Sequence, residues 1–154
     1  MQVNEAMSGD VKLINPNQTI RDAARMMAEI DAGVLPVSEN DRLVGMITDR
    51  DIAIRAVAAG KAPTTPVREV MSEEVKYCFE DDDLDEVSEN MADIKLRRLP
   101  VLSRDKRLVG IVSLADIALT DGPANAGSAL CGISEPGGDH SQALDGARGA
   151  RAAR

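Results

Sequence analysis

The chain has 154 residues, 44% of them hydrophobic and 29% charged, the composition of one ordinary globular domain or two very small ones. Its 26 acidic and 18 basic side chains leave a formal charge of −8, which argues against nucleic acid as a partner, because phosphate neutralisation dominates such binding. No apolar run approaches the roughly 20 residues of a membrane helix, the opening MQVNEAMSGD does not read as a signal peptide, and Cys78 and Cys131 form no disulfide framework. A cytoplasmic location with no membrane contact is therefore expected. With no Trp, one Tyr and one Phe there is no base-stacking platform. The single histidine, His140, lies in a stretch without hydrophobic periodicity, so hydrolase and His-metal sites lack their usual parts.

In chain order the pattern predicts a short helix at Asn4–Ala6, a brief strand at Val11–Ile14, and an amphipathic helix opened by Thr19 with Asp22 three residues on. Its apolar face is Ile20, Ala23, Ala24, Met27 and Ile30. Strands follow at Val34–Ser38 and Leu43–Thr48, and Thr48 starts a last helix. The same series then recurs: a short helix at Val67–Val70, a strand at Val75–Phe79, a helix capped by Asp83 with Glu86, strands at Leu99–Leu102 and Arg107–Ser113, and a helix from Ser113.

The recurrence is residue by residue. At an offset of 64, Met7-Ser8 falls on Met71-Ser72 and Leu35-Pro36-Val37 on Leu99-Pro100-Val101; at 65, Arg42-Leu43-Val44-Gly45 falls on Arg107-Leu108-Val109-Gly110 and Asp51-Ile52-Ala53 on Asp116-Ile117-Ala118. The extra residue sits in a polar turn. The expected organisation is repeat 1 at 1–60, a linker at 61–66 within GKAPTTP, repeat 2 at 67–120, and a flexible Gly/Ala-rich tail at 121–154. Each unit is marginal alone, so the two small sheets are expected to pack against each other with pseudo-twofold symmetry.

Tandem units carrying Leu-Pro-Val followed by Gly-Met-Ile-Thr-Asp-Arg-Asp-Ile or Gly-Ile-Val-Ser-Leu-Ala-Asp-Ile resemble a pair of CBS domains, a Bateman module, over about residues 1 to 120. The resemblance implies an α+β fold of β-α-β-β-α repeats, each behind a leading short helix. It also implies an adenine nucleotide (AMP, ADP or ATP, with NAD or S-adenosylmethionine as lesser alternatives) bound between the repeats, a homodimer, and a regulatory output read by a protein partner. No catalytic barrel of the inosine-monophosphate dehydrogenase kind fits in the remaining residues.

Candidate binding residues follow from motif and resemblance together. Thr48 with Asp51, and Ser113 with Asp116, set a hydroxyl and a carboxylate on one side of a helix's first turn, where the carboxylate can accept from both ribose hydroxyls. The same spacing is that of a capping box, which starts a helix and requires no ligand. Arg97 and Arg98 precede Leu99-Pro100, where the resemblance implies phosphate contacts, and Arg50 is the counterpart candidate in repeat 1. Leu35, Leu99 and Tyr77 are candidates for the adenine slot, Tyr77 by stacking. The Glu80–Asp83 run is expected to serve the following helix rather than a metal. A ligand-free dimerisation or scaffold module is the alternative reading; an enzyme lacks a nucleophile–base pair or a phosphate-cradling glycine loop.

Overall fold

The computed structural model describes residues 1–136, which divide into two compact units. One contains Met1–Ser8, Cys78–Val101 and Ile111–Pro136; the other contains Gly9–Tyr77 and Leu102–Gly110. The expected residues beyond 136, His140 among them, lie outside the described region.

In the unit built on repeat 1, Thr19 caps α1 (Ile20–Ile30): its side chain accepts from the Asp22 amide and the Asp22 carboxylate accepts from the Thr19 amide, both at 3.1 Å. β1 (Val34–Glu39) and β2 (Arg42–Thr48) pair antiparallel from Val34–Thr48 to Glu39–Arg42. The two-residue turn is Asn40-Asp41, both left-handed at φ 54° and 61°, as the strand twist demands of a tight hairpin. α2 is a single turn (Asp49–Asp51) that widens into a π-helix over Ile52–Val57. Ile14, Ile20, Met27, Leu35, Val37 and Ile47 form the core of this unit.

The other unit repeats the plan. α3 (Leu84–Ile94) is capped by Asp83, whose carboxylate accepts from the Asp85 and Glu86 amides. β3 (Cys78–Phe79), β4 (Arg98–Leu102) and β5 (Leu108–Ser113) form a sheet in that order, and α4 (Leu114–Thr120) follows Ser113. Leu84, Met91, Val101, Val112 and Ile117 are fully buried. In the acidic run, the Asp82 and Asp83 carboxylates serve the backbone, Asp82 accepting from the Phe79 amide at 2.8 Å, and the main-chain carbonyls of Asp82 and Glu80 accept from Val3 and Asn4.

The leading segments are exchanged. Residues 1–8 pack with repeat 2, where Ser8 and Ile111 trade both backbone hydrogen bonds at 2.9 and 3.0 Å. Residues 63–72 pack with repeat 1: Thr65 and Pro63 carbonyls accept from Ile20 and Arg21, and Ser72 trades both bonds with Met46. Gly45 makes this approach possible, since a Cβ there would stand 2.7 Å from Met71 Sδ and 2.8 Å from the Ser72 carbonyl oxygen.

Three expectations are corrected. The strand expected at Val11–Ile14 is a single parallel bridge between Ile14 and Val37; Asn15-Pro16 turns the chain immediately, and Asn15 Oδ1 takes the Asn17 amide. The strand expected at Val75–Phe79 shrinks to Cys78–Phe79; Lys76 before it is exposed and pairs with Glu74 at 3.1 Å. Most of the first half of the expected tail is a helix, α5 (Pro123–Ser134), with Pro at its start. Alanine is the best helix former, and the small residues allow close packing: a Cβ on Gly132 would stand 2.6 Å from Ala92 Cβ of α3. Asn125 Nδ2 donates to Asp85 and Asp121 at 2.6 and 2.7 Å, and Lys95 Nζ donates to the Gly132 carbonyl at 2.9 Å.

Gly45→Val is expected to destabilise the fold by about 1–3 kcal/mol through overpacking against the exchanged segment, whereas Gly127→Ala in α5, with open space around its Cβ, stabilises it by about 0.5–1 kcal/mol; urea denaturation reads both. Burial, reinforced by the nearby Asp82 charge, pushes the Cys78 thiol up to about 12, while Cys131 is exposed. At pH 8 iodoacetamide should therefore label one thiol of the native chain and both in denaturant. Because the unfolded thiol ionises first, the stability Cys78 contributes is complete below pH 9 and declines between about 9 and 12.

Candidate functional site

The two Thr/Ser-x-x-Asp motifs form at matched places. β2 ends at Thr48 and β5 at Ser113, and each residue is the extended N-cap of the helix that follows. In repeat 1, the Thr48 hydroxyl accepts from the Asp51 amide and Asp51 Oδ2 accepts from the Thr48 amide, both at 3.0 Å. In repeat 2, the Ser113 hydroxyl accepts from the Asp116 amide at 3.1 Å, and Asp116 Oδ2 accepts from the Ser113 amide and hydroxyl, both at 2.8 Å. A matched backbone bond brings the start of the hairpin to each helix: Asp49 N–H to the Gly33 carbonyl at 3.0 Å, and Leu114 N–H to the Arg97 carbonyl at 2.9 Å.

Beyond the caps the two places differ. Asp51 is 7% exposed, and its Oδ1 lies 3.7 Å from Arg55 Nε, too long for a good hydrogen bond yet close enough to offset the charge. Arg55 also donates to the Val70 and Met71 carbonyls at 3.4 Å. The counterpart of Arg55 is Thr120, and Asp116 Oδ1 has no partner among the described residues. Gly33, the counterpart of Arg97, has the Asp49 carboxylate folded onto it; a Cβ there would sit 2.8 Å from Asp49 Oδ2. The first place thus presents an acid where the second presents a base.

Arg97, Arg98, Leu99, Ser113 and Asp116 come together in one unit; Leu35, Thr48, Arg50, Asp51 and Tyr77 belong to the other. Tyr77, read from the sequence as a partner of Leu99, is thus grouped with repeat 1, where it is 43% exposed. Leu35 and Leu99 are 0% and 2% exposed, so both serve the core. Arg97 and Arg98 are exposed, and neither guanidinium is paired among the described residues. Arg50 is exposed and held through its backbone, its amide donating to Asp49 Oδ1 at 2.8 Å.

Sequence reasoning passed over Arg55 and Asp49. The first was signalled by its i, i+4 spacing from Asp51; the second had no signal, because its contact depends on the missing side chain at Gly33. Among the described residues no three His, Cys, Asp or Glu side chains gather to hold a metal ion, and no helix is long and apolar enough to cross a membrane.

The chain is 44% identical over 133 residues to the CBS domain-containing protein YhcV of Bacillus subtilis, covering 86% of this chain and 94% of that protein. Its fold matches a solved CBS domain protein, TA0289 of Thermoplasma acidophilum, with a TM-score of 0.78, 28% identity and coverage of 88% and 77% of the two chains. It also matches the CBS domain pair of protein MJ0100 in complex with 5′-methylthioadenosine and S-adenosyl-L-methionine, with a TM-score of 0.72, 30% identity and coverage of 80% and 97%. The CBS domain family itself is matched twice, over residues 3–57 and 67–120, and so the chain belongs to the CBS-domain family as a tandem pair.

Proposed function

We propose that this CBS pair is a regulatory module that binds an adenosyl nucleotide of the AMP, ADP or ATP class and carries out no catalysis of its own. The observation that carries the reading is Asp116. Ser113 holds one of its oxygens, the other has no partner among the described residues, and the unpaired Arg97 and Arg98 stand on the segment bonded to the first residue of α4. A fixed carboxylate suits a ribose diol, and guanidinium groups suit phosphate. The MJ0100 pair, with its adenosyl ligands, supports the nucleoside half. A cationic ligand such as S-adenosylmethionine would meet two unpaired guanidinium groups at repeat 2, which favours an adenylate there. Thr48, Asp51 and Arg50 form a poorer counterpart, because Arg55 already offsets Asp51. Regulation follows if the ligand prefers one of two states that a protein partner distinguishes.

The complete capping boxes favour a second reading, a ligand-free dimerisation or scaffold module. Every backbone amide bond of the two motifs described above is one a cap requires. In either reading self-association has apolar side chains to use: Ile54 and Val57 on the π-helix and Leu119 on α4 are 53%, 69% and 89% exposed.

Melting followed by calorimetry, with AMP, ADP, ATP, NAD, S-adenosylmethionine or methylthioadenosine at about 100 times the dissociation constant, should show stabilisation of about 2.7 kcal/mol, a rise of roughly 5–10 °C. Asp116→Asn keeps an acceptor for the Ser113 amide, so it is expected to leave the basal melting point within about 2 °C and remove the response. Arg97→Ala with Arg98→Ala should weaken the phosphorylated ligands and spare methylthioadenosine. If no compound shifts the melt and Asp116→Ala only costs about 1 kcal/mol, the scaffold reading stands. Light scattering should give the mass of a dimer, and Ile54→Asp with Val57→Asp should reduce it to that of a monomer.

A further inference from the structure

A cavity of 160 Å³ opens at the turn ends of the two hairpins, lined by Leu13, Ser38, Asp41, Leu43, Arg107 and Leu108, all within one compact unit. Leu43 precedes Thr48 by five residues on β2, so at about 3.3 Å per residue the cavity lies roughly 17 Å along the strand from the first capping box. It is a different place from the proposed ribose contacts. Its walls are three leucines, and it carries one acid and one base, both exposed. Neither charge belongs to any of the described ion pairs or has another side-chain partner among the described residues. Two opposite charges therefore line one cavity without neutralising each other. Asp41 holds a left-handed backbone, φ 61°, which Asn and Asp both tolerate, so the turn accepts the carboxylate without using it in any described side-chain contact.

We propose that this cavity binds a zwitterionic α-amino acid with an apolar side chain. The ammonium group donates to Asp41, the carboxylate accepts from the Arg107 guanidinium, and the side chain lies against Leu13, Leu43 and Leu108. A guanidinium matches a carboxylate in fork geometry, and an ammonium group brings three donors to an acid. Size points the same way. One water needs roughly 10–15 Å³ of such space, so the cavity takes on the order of ten heavy atoms, which fits leucine or methionine and falls well short of a nucleotide.

Isothermal titration of the whole chain with L-leucine and with L-methionine tests this. Saturable binding of at least one of them is expected, weakened about ten-fold or more for 4-methylpentanoate and isopentylamine, which each keep one of leucine's two charges. Asp41→Asn, which a left-handed turn tolerates, and Arg107→Gln should each cause the same loss while circular dichroism shows the native fold and Asp116→Asn leaves the binding intact. No heat from either amino acid up to about 20 mM would overturn the proposal, as would binding that survives both Asp41→Asn and Arg107→Gln.

Discussion

The reciprocal backbone bonds between Ser8 and Ile111 and between Met46 and Ser72 close the exchange by which each core is completed. Each attaches the segment that leads into one repeat to the edge of the other repeat's hairpin, so neither repeat has its full set of hydrogen-bonded edges from its own residues. A single repeat buries too little surface to offset the entropy of ordering it, and the exchange supplies what is missing: Val3 completes one core, Val67 and Val70 the other, all fully buried. Gly45 follows from the same constraint, because the borrowed segment needs the space a Cβ would fill.

Those edges run directly into the candidate site. β2 and β5, pinned along one side by Ser72 and Ser8, end at Thr48 and Ser113, and these residues begin helices by accepting from the amide three residues on. A cap of this kind orients its carboxylate as a by-product of starting the helix. The chemistry then depends on what the second carboxylate oxygen meets: Arg55 at Asp51, and no described residue at Asp116. The two caps are thus one geometry in two electrostatic settings, and the repeat that lacks the internal arginine is the one with arginines unpaired among the described residues beside it.

Much of this was legible in the sequence, for identifiable reasons. The α1 and α3 caps, the Leu-Pro-Val strands and the Gly-x-x-Thr/Ser turns are local signals, and each lies where the residue pattern places it. The exchange was not legible, because a repeat at offset 64 is the same whether the leading segment folds back on its own unit or onto its neighbour. α5 was missed for a related reason: Gly and Ala were read as a sign of flexibility, whereas Gly132 is the contact that lets α5 approach Ala92. Leu35 and Leu99, candidates by position on their strands, are core because burial decides what an apolar side chain on a short strand does.

The side-chain departures from symmetry fall at positions that are not buried. Arg55 against Thr120, Gly33 against Arg97, Asp49 against Leu114, and α5 with no counterpart after Val57 leave the core positions of the two repeats equivalent. Stability constrains the paired positions to stay alike, since each core is completed by the other repeat's leader. The peripheral positions carry no such constraint and are where two copies of one unit can acquire different electrostatics. A charge difference confined to those positions changes the local electrostatics of each repeat at little cost to folding, because exposed charges contribute little to stability.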